Sequence, residues 1–160
     1  MKRILIFLTT LFFWCNVSLS DDYIGKGELK FTSSMVDYFM KYLNTPPGQS
    51  PLVFWVAMLD DGRWYATYWY CPAGNCTSTG NKQRKKKCNI SLKKRYGVDD
   101  KCFIFAKRKY AVWDNGINPA HYKKSSFSSK WSKREVIEKL TELGFYGNTT
   151  TTKKIEKKRT

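Results

Sequence analysis

The chain carries a single histidine, His121, among 160 residues. That scarcity excludes chemistry needing an imidazole pair, such as two-histidine cleavage of RNA, and any metal site built from several histidines. Acidic side chains are also few: 13 Asp+Glu stand against 29 Lys+Arg, a formal charge of +16. No Cys-x-x-Cys pair occurs, which argues against thioredoxin-like redox chemistry and against a four-cysteine zinc site. The apolar run Ile4–Trp14 has 11 residues, short of the roughly 20 that span a bilayer as a helix. Apolar residues themselves are abundant, at 42% hydrophobic and 16% aromatic, so the chain is expected to fold around a core. Its length suits about one domain. No metal and no cofactor are expected.

The N-terminus has the order of a secretory signal peptide. Lys2 and Arg3 precede the apolar run, and Ser18-Leu19-Ser20 puts small residues at the cleavage positions before Asp21-Asp22. Trp14 is too bulky for a lipidation site at Cys15. Residues 1–20 are therefore read as a signal peptide, 21–147 as one domain and 148–160 as a basic, low-complexity tail expected to be disordered. Residues 1–20 hold two basic groups and no acid, which leaves +14 on the mature chain. The expected location is periplasmic or extracellular. Four cysteines remain there: Cys71, Cys76, Cys88 and Cys102. An even count in a small exported chain reads as two disulfides. Three pairings are open, and Cys71–Cys76 with Cys88–Cys102 is favoured because each pair brackets one local unit.

Hydrophobic periodicity supplies the elements. Thr32 caps a helix whose face is Met35, Val36, Phe39, Met40 and Leu43, ended by Pro46-Pro47-Gly48. Leu52–Leu59 is apolar on both faces, as in a central strand, and Asp60-Asp61-Gly62-Arg63 is a turn signal before the return strand Trp64–Cys71. Lys82–Tyr96 reads as a basic helix with Cys88, Leu92 and Tyr96 toward the sheet. Strands Lys101–Ala106 and Tyr110–Trp113 follow, and a capping box at Ser132–Glu135 starts a last helix with Val136, Ile137, Leu140 and Leu143 inward. A short strand at Glu28–Phe31 is also expected. The fold class is α+β: a small antiparallel sheet in β-β-α-β-β order, a packed basic helix, and flanking N- and C-terminal helices.

From Cys88 through Tyr96-Gly97, Cys102-Phe103-Ile104-Phe105-Ala106 and Val112-Trp113, the motif order resembles a family of small exported, cysteine-containing alphaproteobacterial proteins. Tyr68-Trp69-Tyr70-Cys71-Pro72, Asn115-Gly116-Ile117-Asn118 and Leu143-Gly144-Phe145 extend the resemblance over most of residues 24–147. It implies export and disulfides, and carries no catalytic residue over.

Charge supplies the functional candidates. Helix 82–96 holds eight Lys/Arg and no acid, so like-charge repulsion is tolerated along it. A polyanion would relieve that repulsion. The candidate site comprises Arg84, Lys85, Lys86, Lys87, Lys93, Lys94 and Arg95 with the turn Lys107, Arg108 and Lys109. Trp64, Tyr68 and Tyr70 are candidates for an aromatic stacking platform beside it. The expected function is non-enzymatic binding of a polyanion, whether envelope lipid, polysaccharide or nucleic acid. One alternative is a secreted hydrolase of cell wall or polysaccharide using Asp60, Asp61, Asp99, Asp100 or Asp114. Another is a structural partner of an envelope protein. His121 reads as a surface loop residue.

Overall fold

The computed structural model describes residues 23–72, 76, 80–99 and 101–147. The expected signal peptide and disordered tail, and Asp100, lie outside the described residues. The elements are α1 (Ser33–Leu43), β1 (Gln49–Met58), β2 (Trp64–Pro72), α2 (Asn81–Tyr96), β3 (Phe103–Lys107), β4 (Tyr110–Ala111) and α3 (Lys133–Glu142). Four antiparallel strands form one sheet in the order β2-β1-β3-β4. The architecture is α+β, as the hydrophobic pattern predicts.

Strand alternation splits the core into two layers. On one face, Phe54 and Val56 of β1, Ala66 of β2 and Phe105 of β3 pack under α1 and α3. On the other, Val53, Trp55 and Ala57 of β1 and Ile104 of β3 pack under α2. β1 is buried on both faces, as its continuous apolar sequence requires. Phe105 meets Phe31, Phe39, Phe54 and Phe145, tying α1, α3 and the sheet together. Truncating one of these rings to alanine is worth about 3–5 kcal/mol.

Caps fall where the sequence places them. The Thr32 hydroxyl accepts from the Met35 amide at 3.2 Å, and Ser132 and Glu135 form a reciprocal capping box. Gly97 ends α2 in the left-handed region. α2 itself is weakly anchored: only Cys88 and Leu92 are buried, and Gly80 gives no side-chain cap at its start. The disulfide Cys88–Cys102 ties it to the start of β3, and Cys71–Cys76 closes the loop after β2.

Beyond end shifts of a few residues, two boundaries and one buried face differ from expectation. Glu28–Phe31 is not a strand. Pairing occurs earlier, where Ile24 bridges Ile104 and Lys26 bridges Asp114, while Leu29 and Phe31 are drawn into the core as side chains. β4 stops at Ala111 because the Val112 and Trp113 amides both donate to the Phe105 carbonyl, pulling the chain off the ladder. On α1, Tyr42 is buried and Met40 only partly, because the Tyr42 hydroxyl reaches the Arg108 carbonyl at 2.5 Å.

The long connection between β4 and α3 is held by a polar knot that no motif announces. Asn118 donates to the carbonyls of Ala111 and Trp113 and accepts from the Ala120 amide and the Ser125 hydroxyl. Asn118 and Ser125 are both buried, so these bonds replace water for their side chains.

Candidate anion-binding grooves

The site begins with the electrostatics of α2. A helix N-terminus carries partial positive charge, and acidic residues normally sit there. α2 has no acid in its first turn, and Lys82, Arg84, Lys85, Lys86 and Lys87 crowd its first half. Its C-terminal cations, Lys93, Lys94 and Arg95, complement the dipole instead. The unfavourable charge is thus concentrated at one end.

That end faces the β3–β4 turn. Arg84 of α2 and Lys107 and Arg108 of the turn line one groove of about 530 Å³ with Asn81, Tyr110 and Leu52. Arg84 Nη1 donates to Asn81 Oδ1 at 3.3 Å, which orients the guanidinium along the helix start. Arg108 has a left-handed φ of 51°. That conformation costs a residue with a Cβ about 1–2 kcal/mol. It is fixed from both sides: the Arg108 amide donates to the Leu52 carbonyl at 2.9 Å, and its carbonyl accepts from Tyr42. Burial raises the Tyr42 phenol well above its ordinary value, with the charges of Tyr70 and Tyr110 adding to the effect. The phenol therefore keeps its donor proton.

The other predicted basic residues do not join this groove. Lys86, Lys87, Lys93, Lys94 and Arg95 are exposed along α2. Lys93 pairs with Asp99 at 2.7 Å, Lys85 lies over the Phe103 ring, and Lys109 donates to the Ser129 hydroxyl. Arg84 and Lys87 also line a shallower groove of about 410 Å³ beside Trp69. A third groove, of about 550 Å³, lies at the far end of α2 and is lined by Tyr38, Arg63, Trp64, Tyr65, Arg95 and Tyr96. Arg63 and Arg95 both lie over the Tyr96 ring, at 4.9 and 5.4 Å from its centroid. Arg63 reads in the sequence only as part of a turn; its cationic role appears when the hairpin brings it to the end of α2.

The aromatic platform is corrected. Trp64, Tyr68 and Tyr70 pack with the α1-side cluster, and Trp64 also lines the groove at the far end of α2. Tyr68 packs against Tyr38, Tyr42 and Phe54, Trp64 packs against Tyr38, and the Tyr70 hydroxyl donates to the Lys41 carbonyl at 2.6 Å. They form a half-buried band under α1. The β2 rings that lie toward the basic helix are Tyr65 and Trp69. Alternation correctly divides β2 into two faces, but which face α2 covers is a matter of chain path.

The carboxylates lie elsewhere. Asp61 bonds Arg63 at 2.6 Å, Asp60 meets Lys101 at 3.4 Å, and Asp114 accepts from the Gly116 amide. The hydrogen bond from Arg63 holds the Asp61 carboxyl below its ordinary range, the opposite of what a general acid needs. Among the described residues lining the three grooves there is no carboxylate. His121 lies exposed in its loop, its Nδ1 accepting from the Lys123 amide. Among the described residues no cluster of His, Cys, Asp or Glu is arranged to hold a metal, and no helix is long and apolar enough to cross a membrane.

No protein-family model matches the chain, and neither a curated protein nor a solved structure matches it.

Proposed function

We propose that this is an exported protein that binds an anionic envelope polymer in the groove between the start of α2 and the β3–β4 turn. One observation carries the reading: Arg84, Lys107 and Arg108, from two elements, line a single groove at the helix end where positive charge is already in excess. An anion there offsets both the side-chain repulsion and the helix dipole. Holding Arg108 in a left-handed conformation stores strain that a purely structural turn would shed by using glycine. The two disulfides are compatible with an oxidising compartment, and the signal-peptide order of residues 1–20 supports the same setting.

The test is retention on heparin-agarose across a salt gradient. Lys107→Glu/Arg108→Glu is expected to elute far earlier than Lys26→Glu/Arg134→Glu, which changes net charge equally. Arg134 lies on α3, across the sheet from α2. By analogy with nucleic acids, each lost contact flattens the salt dependence of log affinity by roughly 0.7–0.9. Equal elution of the two variants would refute the groove. Competition by lipopolysaccharide, acidic polysaccharide and single-stranded DNA then ranks the polymer class. The hydrolase reading gains no support, since the grooves hold no carboxylate among the described residues.

A further inference from the structure

Three parts of the chain meet at the far end of α2: Tyr38 from α1, Arg63, Trp64 and Tyr65 from the β1–β2 hairpin, and Arg95 and Tyr96 from α2 itself. The groove they line, of about 550 Å³, has the size of a small-ligand site. Four of its lining side chains are aromatic, and each carries a polar tip: three phenols and one indole. The Tyr96 hydroxyl is committed, donating to the Trp64 carbonyl at 3.3 Å. Among the described residues the Tyr38 and Tyr65 hydroxyls and the Trp64 indole N–H have no hydrogen-bond partner in the protein, and none of the three is sealed from solvent. Three amphipathic side chains therefore gather in one groove with their polar groups uncommitted.

The charge in the groove narrows the ligand further. Arg63 and Arg95 lie over the same Tyr96 ring. Asp61 neutralises Arg63, bonding its Nε at 2.7 Å and its Nη2 at 2.6 Å, yet the Arg63 side chain remains half exposed. Arg95 is exposed and has no carboxylate partner among the described residues. The groove thus presents one unbalanced positive charge, which one carboxylate balances and a run of phosphates exceeds. A guanidinium takes a planar carboxylate through paired N–H donors. A nucleic-acid base would use the ring faces alone, and a fatty acid would leave the polar tips unmet. A sugar ring has an apolar C–H face to set against an aromatic ring and hydroxyls around its rim, which phenols and an indole N–H can bond.

We propose that this groove is a second binding site, specific for an acidic sugar: a pyranose ring bearing one carboxylate. The ring stacks on the aromatic wall. Its hydroxyls meet the Tyr38 and Tyr65 hydroxyls and the Trp64 indole, and its carboxylate sits on Arg95 with the exposed side of Arg63 beside it. The site goes beyond the polymer groove and does not depend on it: Arg84 and Arg95 stand roughly 16 Å apart along α2. A free sugar acid and a residue of an acidic polysaccharide share this chemistry, and chain length separates them.

The experiment titrates the isotope-labelled full chain, followed by NMR, with galacturonate, its linear trimer, galacturonate methyl ester, acetate and a short oligothymidylate. Galacturonate is expected to shift the Trp64 indole signal. It should bind at least tenfold more tightly than its methyl ester, which keeps the ring and hydroxyls without the charge, and than acetate, which keeps only the charge. Arg95→Gln, at an exposed position, should weaken it tenfold or more, and Tyr65→Phe, which removes one hydroxyl, several-fold. Lys107→Glu/Arg108→Glu should leave it unchanged while heparin retention falls, so this site and the polymer groove fail separately. A trimer that binds more tightly than the monomer supports the site with a polysaccharide as the source, and equal affinity supports it with a free sugar acid. Equal binding of galacturonate and its methyl ester, or of galacturonate and acetate, would overturn the proposal. So would unchanged binding by Arg95→Gln, or oligothymidylate taking the same site more tightly than the sugar.

Discussion

Removing the two disulfides one at a time tests how α2, and with it the groove, is held. Cys88 and Cys102 are 14 residues apart, and Cys71 and Cys76 only 5. Loop-closure entropy assigns about 3 kcal/mol to the longer link and about 2 kcal/mol to the shorter. The structural consequences differ more than the entropies. Leu92 is the only other fully buried side chain of α2, worth about 1.5–3 kcal/mol. Without the Cys88–Cys102 link, a uniformly basic helix rests on Leu92 and a few edge contacts. Cys88→Ala/Cys102→Ala should therefore lower stability by about 3 kcal/mol or more, and Tm by roughly 10 °C. Cys71→Ala/Cys76→Ala should lose about 2 kcal/mol at most. Urea unfolding of each double variant gives the comparison, and amide exchange gives its location: α2 should lose protection first in the 88/102 variant. Heparin retention should fall with it, because Arg84 moves away from Lys107 and Arg108. A larger loss from the 71/76 pair, or an α2 still protected without its bridge, would refute the reasoning.

Other consequences are equally direct. Arg108→Gly relieves a left-handed backbone, so stability should hold or rise by up to about 1 kcal/mol while heparin retention drops; a loss of stability would mean that the turn does not carry strain. Gly25→Ala places a Cβ into the Trp113 ring, itself fixed by its indole N–H on the Gly27 carbonyl, so thermal unfolding should show a loss of at least about 2 kcal/mol. Tyr42 and Tyr70 both bind their protons more tightly when folded, chiefly through burial, with Tyr70 pushed up to about 12 from 10.0. Their contribution is complete below pH 10 and is lost as the pH rises toward 12. Burial also raises the Tyr38 phenol, so absorbance at 295 nm should show three late phenols titrating as the fold is lost, and Tyr42→Phe should remove one of them.

The sequence by itself determined most of the elements and favoured the cross-links that form. Periodicity is a local property, so α1, α2, α3 and the β1–β2 hairpin follow from spacing, and the caps at Thr32, Ser132 and Gly97 follow from side-chain chemistry one turn away. The cysteine pairs were legible because each brackets neighbouring elements. Long-range geometry was not. Whether Trp64, Tyr68 and Tyr70 face water or α1 depends on which side of the sheet each helix crosses, and alternation fixes two faces without labelling them. Likewise, ten predicted cations are one charge count in the sequence. Only the fold brings Arg84 to Lys107 and Arg108, turns the other α2 cations outward and sets Arg63 beside Arg95. The physical reason is that charge and hydropathy add along a chain, whereas a binding surface depends on distances between residues that the backbone path alone brings together.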